Sequence, residues 1–300
     1  MLPGMPRKQS AKPRIAVVGA GNLASALAVS LRRAGYEIEQ VIARGQAASM
    51  RRARALAREI GASAVSTAQA QIGAEIVWFC VPDGAIAGAA ESLVGAANWS
   101  GKVALHSSGA LASDELAVLR RHGAAVASVH PLMTFVRGSR PSLADVPFAI
   151  EGDTAAVRVA RRIVHHLGGR DYSIRKEDKA AYHAWGTFAS PLLTALLVTG
   201  EHVAAAAGVE RKAAKKMPLA MVRQTLANYA ALGGAGAFSG PIIRGDIDTV
   251  KRHLRTLRTI PLAQGVYVSL ARAALAYLPG KNKKALESVL KSLALKRTRN

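Results

Sequence analysis

The stretch from Arg14 to Leu27, with glycine at 19 and 21 and alanine at 24, constrains the fold more than any other. Ile15-Ala-Val-Val18 is a continuous apolar run, the pattern of a parallel strand covered on both faces. Gly19 suits a tight turn, Gly21 lets a ligand approach the backbone, and Ala24 is small where helix and strand must pack closely. The helix that follows aims its free N–H groups at whatever lies over the turn, which favours a pyrophosphate. A bare G-x-G-x-x-A is a weak signal, but here a strand precedes it and a helix follows. The backbone at Gly19, Gly21, Asn22 and Leu23 is therefore expected to bind a dinucleotide. The alternative is a glycine-rich strand–helix turn that binds nothing.

Glu37 to Ala43 reads as the second strand. NAD-binding versions of the motif place an acid about 20 residues past the turn, on the ribose hydroxyls. Arg44 stands there instead, with Ser49, Arg51 and Arg52 close behind. A guanidinium pairs with a 2′-phosphate where a carboxylate would repel it, so NADP is favoured over NAD. Alternatively, Arg51 and Arg52 are ordinary surface residues of the next helix.

Further strands are expected at 64–66, 75–81, 102–106, 125–129, 147–151 and 170–174, alternating with helices. Ligands in such sheets bind outside the carboxyl ends of the strands. Val81, Pro82 and Asp83 therefore lie on the expected path of the ribose and nicotinamide. Two further strand ends carry His106-Ser107-Ser108-Gly109 and His130-Pro131. A histidine in a strand is usually a satisfied core residue, but two at successive carboxyl ends suggest a polar substrate pocket. From 176 the strand pattern stops, and helices are expected at 176–208, 211–231, 246–258, 260–278 and 281–295. The expected architecture is α/β: a Rossmann-type doubly wound, mainly parallel sheet over 14–175, then an all-helical domain over 176–300 for substrate binding and dimerisation. Residues 1–13 are basic without an apolar run, as expected of a disordered leader rather than a signal peptide.

The net charge of +22 invites a nucleic-acid reading, but it is spread along the chain, and 5% aromatic residues offer few stacking platforms. Nucleic acid is disfavoured as a partner, and an anionic small molecule fits better. The single cysteine, Cys80, excludes a disulfide framework and a cysteine metal cluster, and no metal is expected. Ala184 to Gly200 carries no formal charge but is only 17 residues long, short of the roughly 20 that span a bilayer. It is expected to be a buried helix of a cytoplasmic protein.

Lys179, His183, Gly186 and Ser190 follow helical spacing and share one face of the helix entering the second domain. Lysine can donate a proton as a hydride arrives, and histidine can relay it. A solvated first turn would be the plainer reading. In Gly240-Pro241-Ile-Ile-Arg244-Gly245-Asp246, Asp246 suits a helix N-cap and Arg244 could hold a substrate carboxylate or phosphate. An ordinary helix connection explains the segment equally well.

Taken together, Val17-Val-Gly-Ala-Gly-Asn22, Val81-Pro-Asp83, His106-Ser-Ser-Gly109, His130-Pro131, Lys179-Ala-Ala-Tyr-His183 and Gly240 to Asp246 resemble the bacterial Rossmann-like family carrying domain of unknown function 2520. The resemblance runs from about 14 to 295. More broadly the chain is similar to 6-phosphogluconate, 3-hydroxyisobutyrate and prephenate dehydrogenases and pyrroline-5-carboxylate reductase. This implies a two-domain NADP-binding protein, dimeric through its helical domain. In the hydroxyacid dehydrogenases a lysine on the helix entering the second domain donates the proton and an asparagine one turn later assists. Lys179 matches that lysine, and His183 stands in the asparagine's place. His130-Pro131 is similar to the prephenate dehydrogenase pair whose histidine faces substrate. Ser190-Pro191 departs from the family's Ser-Asn, removing an amide and introducing a kink. The expected function is NADP-dependent hydride transfer to or from a small anionic carbonyl or imine compound. Lys179 and His183 would be catalytic, and His106, Ser107, Ser108, His130, Ser190 and Arg244 would contact substrate. The alternative is a non-catalytic NADP sensor of the same fold.

Overall fold

The computed structural model describes residues 12–294, so most of the expected leader lies outside the described residues. The chain forms two compact units, one through Phe188 and one from Ala189. The first holds an eight-stranded sheet: β1 (Ile15–Val18), β2 (Ile38–Ala43), β3 (Ser63–Ser66), β4 (Ile76–Phe79), β5 (Val103–His106), β6 (Ala125–Pro131), β7 (Pro147–Gly152) and β8 (Arg170–Ser173). The order is β3-β2-β1-β4-β5-β6-β7-β8, parallel except where β7 runs antiparallel to β6. β1 lies between β2 and β4, so the sheet switches direction there and leaves a crevice at the strand carboxyl ends.

Helices α1 (Asn22–Arg33), α2 (Ala47–Ile60), α3 (Ile86–Ser92), α4 (Ala117–Arg121), α5 (Thr154–His166) and α6 (Lys179–Ala189) complete this unit. Successive strand residues enter opposite cores, as the twofold period of a strand requires. Ile15 and Val17 pack with Leu27, Leu56 and Ile163. Ala16 and Val18 pack with Ile86, Leu93 and Leu119. The uninterrupted apolar run of β1 is thus explained by burial on both faces.

The expected helix over 176–208 is divided at Ser190, whose φ of −129° and ψ of −78° are not helical. Pro191 has no N–H to continue the ladder and becomes the first residue of α7 (Pro191–Ala206). The 31 residues Lys176–Ala206 have the length and apolarity of a membrane span. The break, however, leaves helices of 11 and 16 residues, each short of the roughly 20 required. α7 is also not buried as its sequence suggested: none of its residues is buried, and Leu192, Leu196 and Val198 are exposed. The division between units falls at 188/189 rather than near 175, because Lys179 ties α6 to the sheet unit through Ser108 and Ser128.

The second unit contains α7, α8 (Arg211–Lys216), α9 (Leu219–Ala237), α10 (Pro241–Arg244), α11 (Ile247–Thr256), α12 (Pro261–Tyr277) and α13 (Lys283–Ala294). Its core is Val250, Leu254, Ala271, Leu275, Leu286 and Leu290. Asp246 caps α11 as expected, its carboxylate accepting from the Thr249 N–H at 3.0 Å. The expected 211–231 helix is broken before Leu219 at Met217-Pro218.

Candidate functional site

A cavity of about 690 Å³ opens at the carboxyl ends of β1, β2 and β4. Gly19 forms part of its wall at φ +110°, and a Cβ there would stand 2.4 Å from the Cys80 carbonyl oxygen. Only glycine fits, for both conformation and space. Gly21 differs: its φ is −84° and a Cβ would meet nothing within 4 Å. It leaves open room at the start of α1, where no side chain caps the helix and its first-turn N–H groups await an acceptor. Asn22 and Leu23 supply two of those N–H groups. The Asn22 side chain itself turns away to the Phe135 carbonyl at 3.2 Å.

Arg44, Val81 and Pro82 line the cavity, whereas Asp83 does not. Ser49, Arg52 and Thr67 join Arg44 at one end. Arg44 and Arg52 are exposed and have no ion pair or hydrogen bond among the described residues, which leaves their charge available to an anion. Gly84 and Gly88 also line the cavity with open space at Cβ, and sequence reasoning missed them. Their i, i+4 spacing just after a strand was the available signal: a bare face of a helix beside a ligand. Burial pushes the Cys80 thiol up to about 12, so it stays protonated and unreactive.

Seven buried polar or charged side chains gather around β5 to β7 and α6: His106, Ser107, Ser108, Ser113, Ser128, Glu151 and Lys179. Several expected substrate contacts are here spent internally. The His106 Nδ1 accepts from the Ser108 N–H at 3.1 Å, so its proton sits on Nε2, 2.9 Å from the Ala112 carbonyl. Both nitrogens are thus used in holding the loop after β5, and His106 is fully buried. Burial lowers its pKa to about 4, so it is neutral. Ser107 accepts from the Trp78 indole at 2.8 Å, and the Ser108 hydroxyl accepts from the Ala110 and Leu111 N–H groups. These three residues build the site's wall rather than reach into it.

Lys179 corrects the expectation of a lysine open to the cleft. It is fully buried, its ammonium 3.1 Å from the Ser108 carbonyl and 2.7 Å from the Ser128 hydroxyl. Burial lowers its pKa to about 8, against the pull of Glu151 and Asp83. Glu151 itself accepts from the Ser113 N–H at 2.6 Å and hydroxyl at 2.9 Å. Among the described residues no carboxylate is in contact with Lys179.

The accessible groups are His130, Tyr182 and His183. His130 is half-buried, and burial, followed by repulsion from Lys179, lowers its pKa to about 4. His183 is exposed and stands edge-on to His130 with ring centroids 5.9 Å apart. Tyr182, which no sequence motif singles out, places its hydroxyl 3.2 Å from His130 Nδ1. Gly186 packs on Leu132. Ser190 falls outside α6 at the helix break, so it does not share the face of Lys179 and His183. Arg244 belongs to the helical unit and is exposed at the end of α10, its side chain without a hydrogen bond or ion pair among the described residues.

Two domain families match the chain: Rossmann-like domain over residues 5–131 and Domain of unknown function (DUF2520) over residues 146–274. The two matches, in this order, are the pair of domains that the sequence resembles. No protein of curated function matches it. Among solved structures, it is similar to a protein named as an NADP oxidoreductase from Bacteroides fragilis, with 24% identity, 87% of this chain and 97% of that one covered, and a TM-score of 0.74. An imine reductase from Pseudomonas sp. is 21% identical over 88% and 94% of the two chains, with a TM-score of 0.58. A reductive aminase from Aspergillus terreus, in complex with NADPH and ethyl-5-oxohexanoate, is 16% identical over 88% and 94%, with a TM-score of 0.63. At these identities the likeness is one of fold.

Proposed function

We propose that the protein is an NADP-dependent oxidoreductase acting on a small anionic carbonyl or imine compound. The observation that carries this reading is the cavity over the open glycine turn, flanked by the unpaired Arg44 and Arg52. The names of the structural relatives, an NADP oxidoreductase, an imine reductase and a reductive aminase, support it.

The first-turn N–H groups of α1 would hold the pyrophosphate, and Arg44 with Ser49, Arg52 and Thr67 the 2′-phosphate. Val81 and Pro82 would border the cofactor's path towards the histidine cluster, with Gly84 and Gly88 leaving it room. Reduced nicotinamide, when bound, supplies a hydride. The heteroatom of the substrate's C=O or C=N bond would then gain the π electron pair and need a proton. His130 would donate a hydrogen bond to that heteroatom, and the exposed His183 would carry the proton from solvent. Lys179, behind them, would stabilise the developing negative charge without touching the substrate.

Arg44→Asp is expected to weaken NADPH binding about 10- to 100-fold while leaving NADH binding unchanged or improved, read by fluorescence titration. An unaltered preference would sink the 2′-phosphate assignment. The enclosure of Lys179 favours one second reading, a non-catalytic NADP sensor. That reading predicts NADPH binding without turnover of any ketone, imine or hydroxyacid.

We further propose a homodimer through the helical unit, located in the cytoplasm. α7 and α9 contain no buried residue and expose Leu192, Leu196, Leu226, Tyr229 and Leu232, large apolar side chains that a partner surface would cover. Sedimentation equilibrium is expected to return twice the chain mass; a monomer at micromolar concentration contradicts it. Cell fractionation tests the location, recovery with membranes counting against it.

A further inference from the structure

We propose that Tyr182 is a positioning residue for His130: its hydroxyl, donating to Nδ1, fixes the imidazole tautomer that carries its proton on Nε2. His130 then presents an N–H donor, not a lone pair, to the reacting heteroatom. The inference rests on the proposed oxidoreductase reading only for that last step; the tautomer belongs to the ligand-free protein.

Three observations converge. First, the Tyr182 hydroxyl has one partner among the described residues, His130 Nδ1 at 3.2 Å. A partly buried phenol proton needs an acceptor, and this nitrogen is the one in reach. Burial holds the phenol pKa near 12, so the proton to be donated is present at any working pH. Secondly, His130 is neutral, so one of its nitrogens must accept while the other donates. If Nδ1 accepts from Tyr182, the proton resides on Nε2. That nitrogen has no hydrogen-bond partner among the described residues and is not sealed from solvent. Thirdly, the chain keeps a side chain out of the space beside Nε2. A Cβ on Gly109 would stand 2.8 Å from His130 Nε2 and 2.6 Å from His183 Cδ2. Gly109 does not have a positive φ, so its backbone does not demand glycine; the two imidazoles do.

The edge-on packing of Tyr182 against His130, with centroids 5.5 Å apart, fixes the ring plane as the hydrogen bond fixes the proton. Both side chains are set by rigid elements, β6 and α6, rather than by a loop. A neutral imidazole N–H can stabilise a developing oxyanion without itself ionising, which suits a site whose buried cation already opposes a second positive charge.

Long-range 15N–1H NMR of the ligand-free protein tests the proposal, with the His130 ring assigned by its disappearance in His130→Asn. The wild-type ring is expected to be a single tautomer protonated at Nε2. In Tyr182→Phe it is expected to become a mixture of the two tautomers, with backbone amide shifts elsewhere retained. A wild-type ring protonated at Nδ1 overturns the proposal whatever the variant does, as does a Tyr182→Phe ring indistinguishable from wild type. With an accepted ketone or imine, Tyr182→Phe is expected to lower kcat about tenfold and leave the KM for NADPH unchanged. Failure of the oxidoreductase reading would show separately, as absent NADPH binding or turnover beside an intact tautomer result.

Discussion

Lys179→Met is expected to turn over at least about a hundredfold more slowly than the parent while being no less stable. The two halves of this result have one cause. The Lys179 ammonium is enclosed, with a carbonyl and a hydroxyl for partners and no carboxylate in contact. An isolated charge in such a place costs folding free energy. Methionine fills a similar volume without that cost. Nor does it orphan the former partners, because the Ser128 hydroxyl donates to the Ser108 carbonyl at 3.1 Å. The catalytic loss follows from removing the only buried cation beside His106 and His130 among the described residues.

The pH dependence of stability supplies an independent check. The folded-state pKa of Lys179 is lowered to about 8, below its unfolded value of 10.5. Below pH 8 both states hold the proton and the burial cost is felt in full. Between pH 8 and 10.5 the unfolded chain holds more protons, so this group raises stability with pH, by up to about 3 kcal/mol. Lys179→Met should abolish that alkaline gain in thermal melts. A variant that melts lower than the parent at pH 7 would show that the lysine holds the fold together, and one that keeps the gain would show that Lys179 is not its source.

Gly19→Ala is expected to cost on the order of 3–5 kcal/mol and to abolish measurable NADPH binding. The methyl group would meet the Cys80 carbonyl at 2.4 Å, and that oxygen belongs to backbone already bonded to β1 through Cys80 N–H and Val18 O at 2.7 Å. β4 would have to move. Gly21→Ala is the informative control. Its φ is ordinary and its Cβ meets open space, so it should keep the parent's urea midpoint while losing cofactor affinity. Equal destabilisation of the two variants would remove the distinction between a glycine required by the fold and one required by the ligand.

The sheet was largely legible because its central strands are buried on both faces, and continuous apolar runs such as Ile76 to Phe79 have few other uses. The geometry of the glycine turn, the place of Arg44 beside the cavity and the Asp246 cap were legible because they depend on neighbours close in sequence. The roles of the polar residues were not. His106 is a loop anchor because its ring meets the Ala112 carbonyl, and His130 is accessible because it does not. Nothing in either dipeptide distinguishes them. Nothing local to Lys179 shows that it is enclosed; its partners Ser108 and Ser128 lie 71 and 51 residues away in sequence. Tyr182 gave no signal, since an aromatic beside a histidine on a helix is ordinary. The exposure of α7 was equally hidden: apolar composition reports that a face prefers cover, not which surface provides it.

Two of the three tryptophans, Trp78 and Trp99, are sealed in the core, while Trp185 on α6 is 61% exposed. It stacks edge-on with Tyr182, ring centroids 6.0 Å apart. The molecule therefore carries its own optical probe one residue pair from the imidazoles. A small neutral collider quenches that exposed indole while the two buried ones emit shielded from it, so ligand arrival at the histidines can be followed without any label.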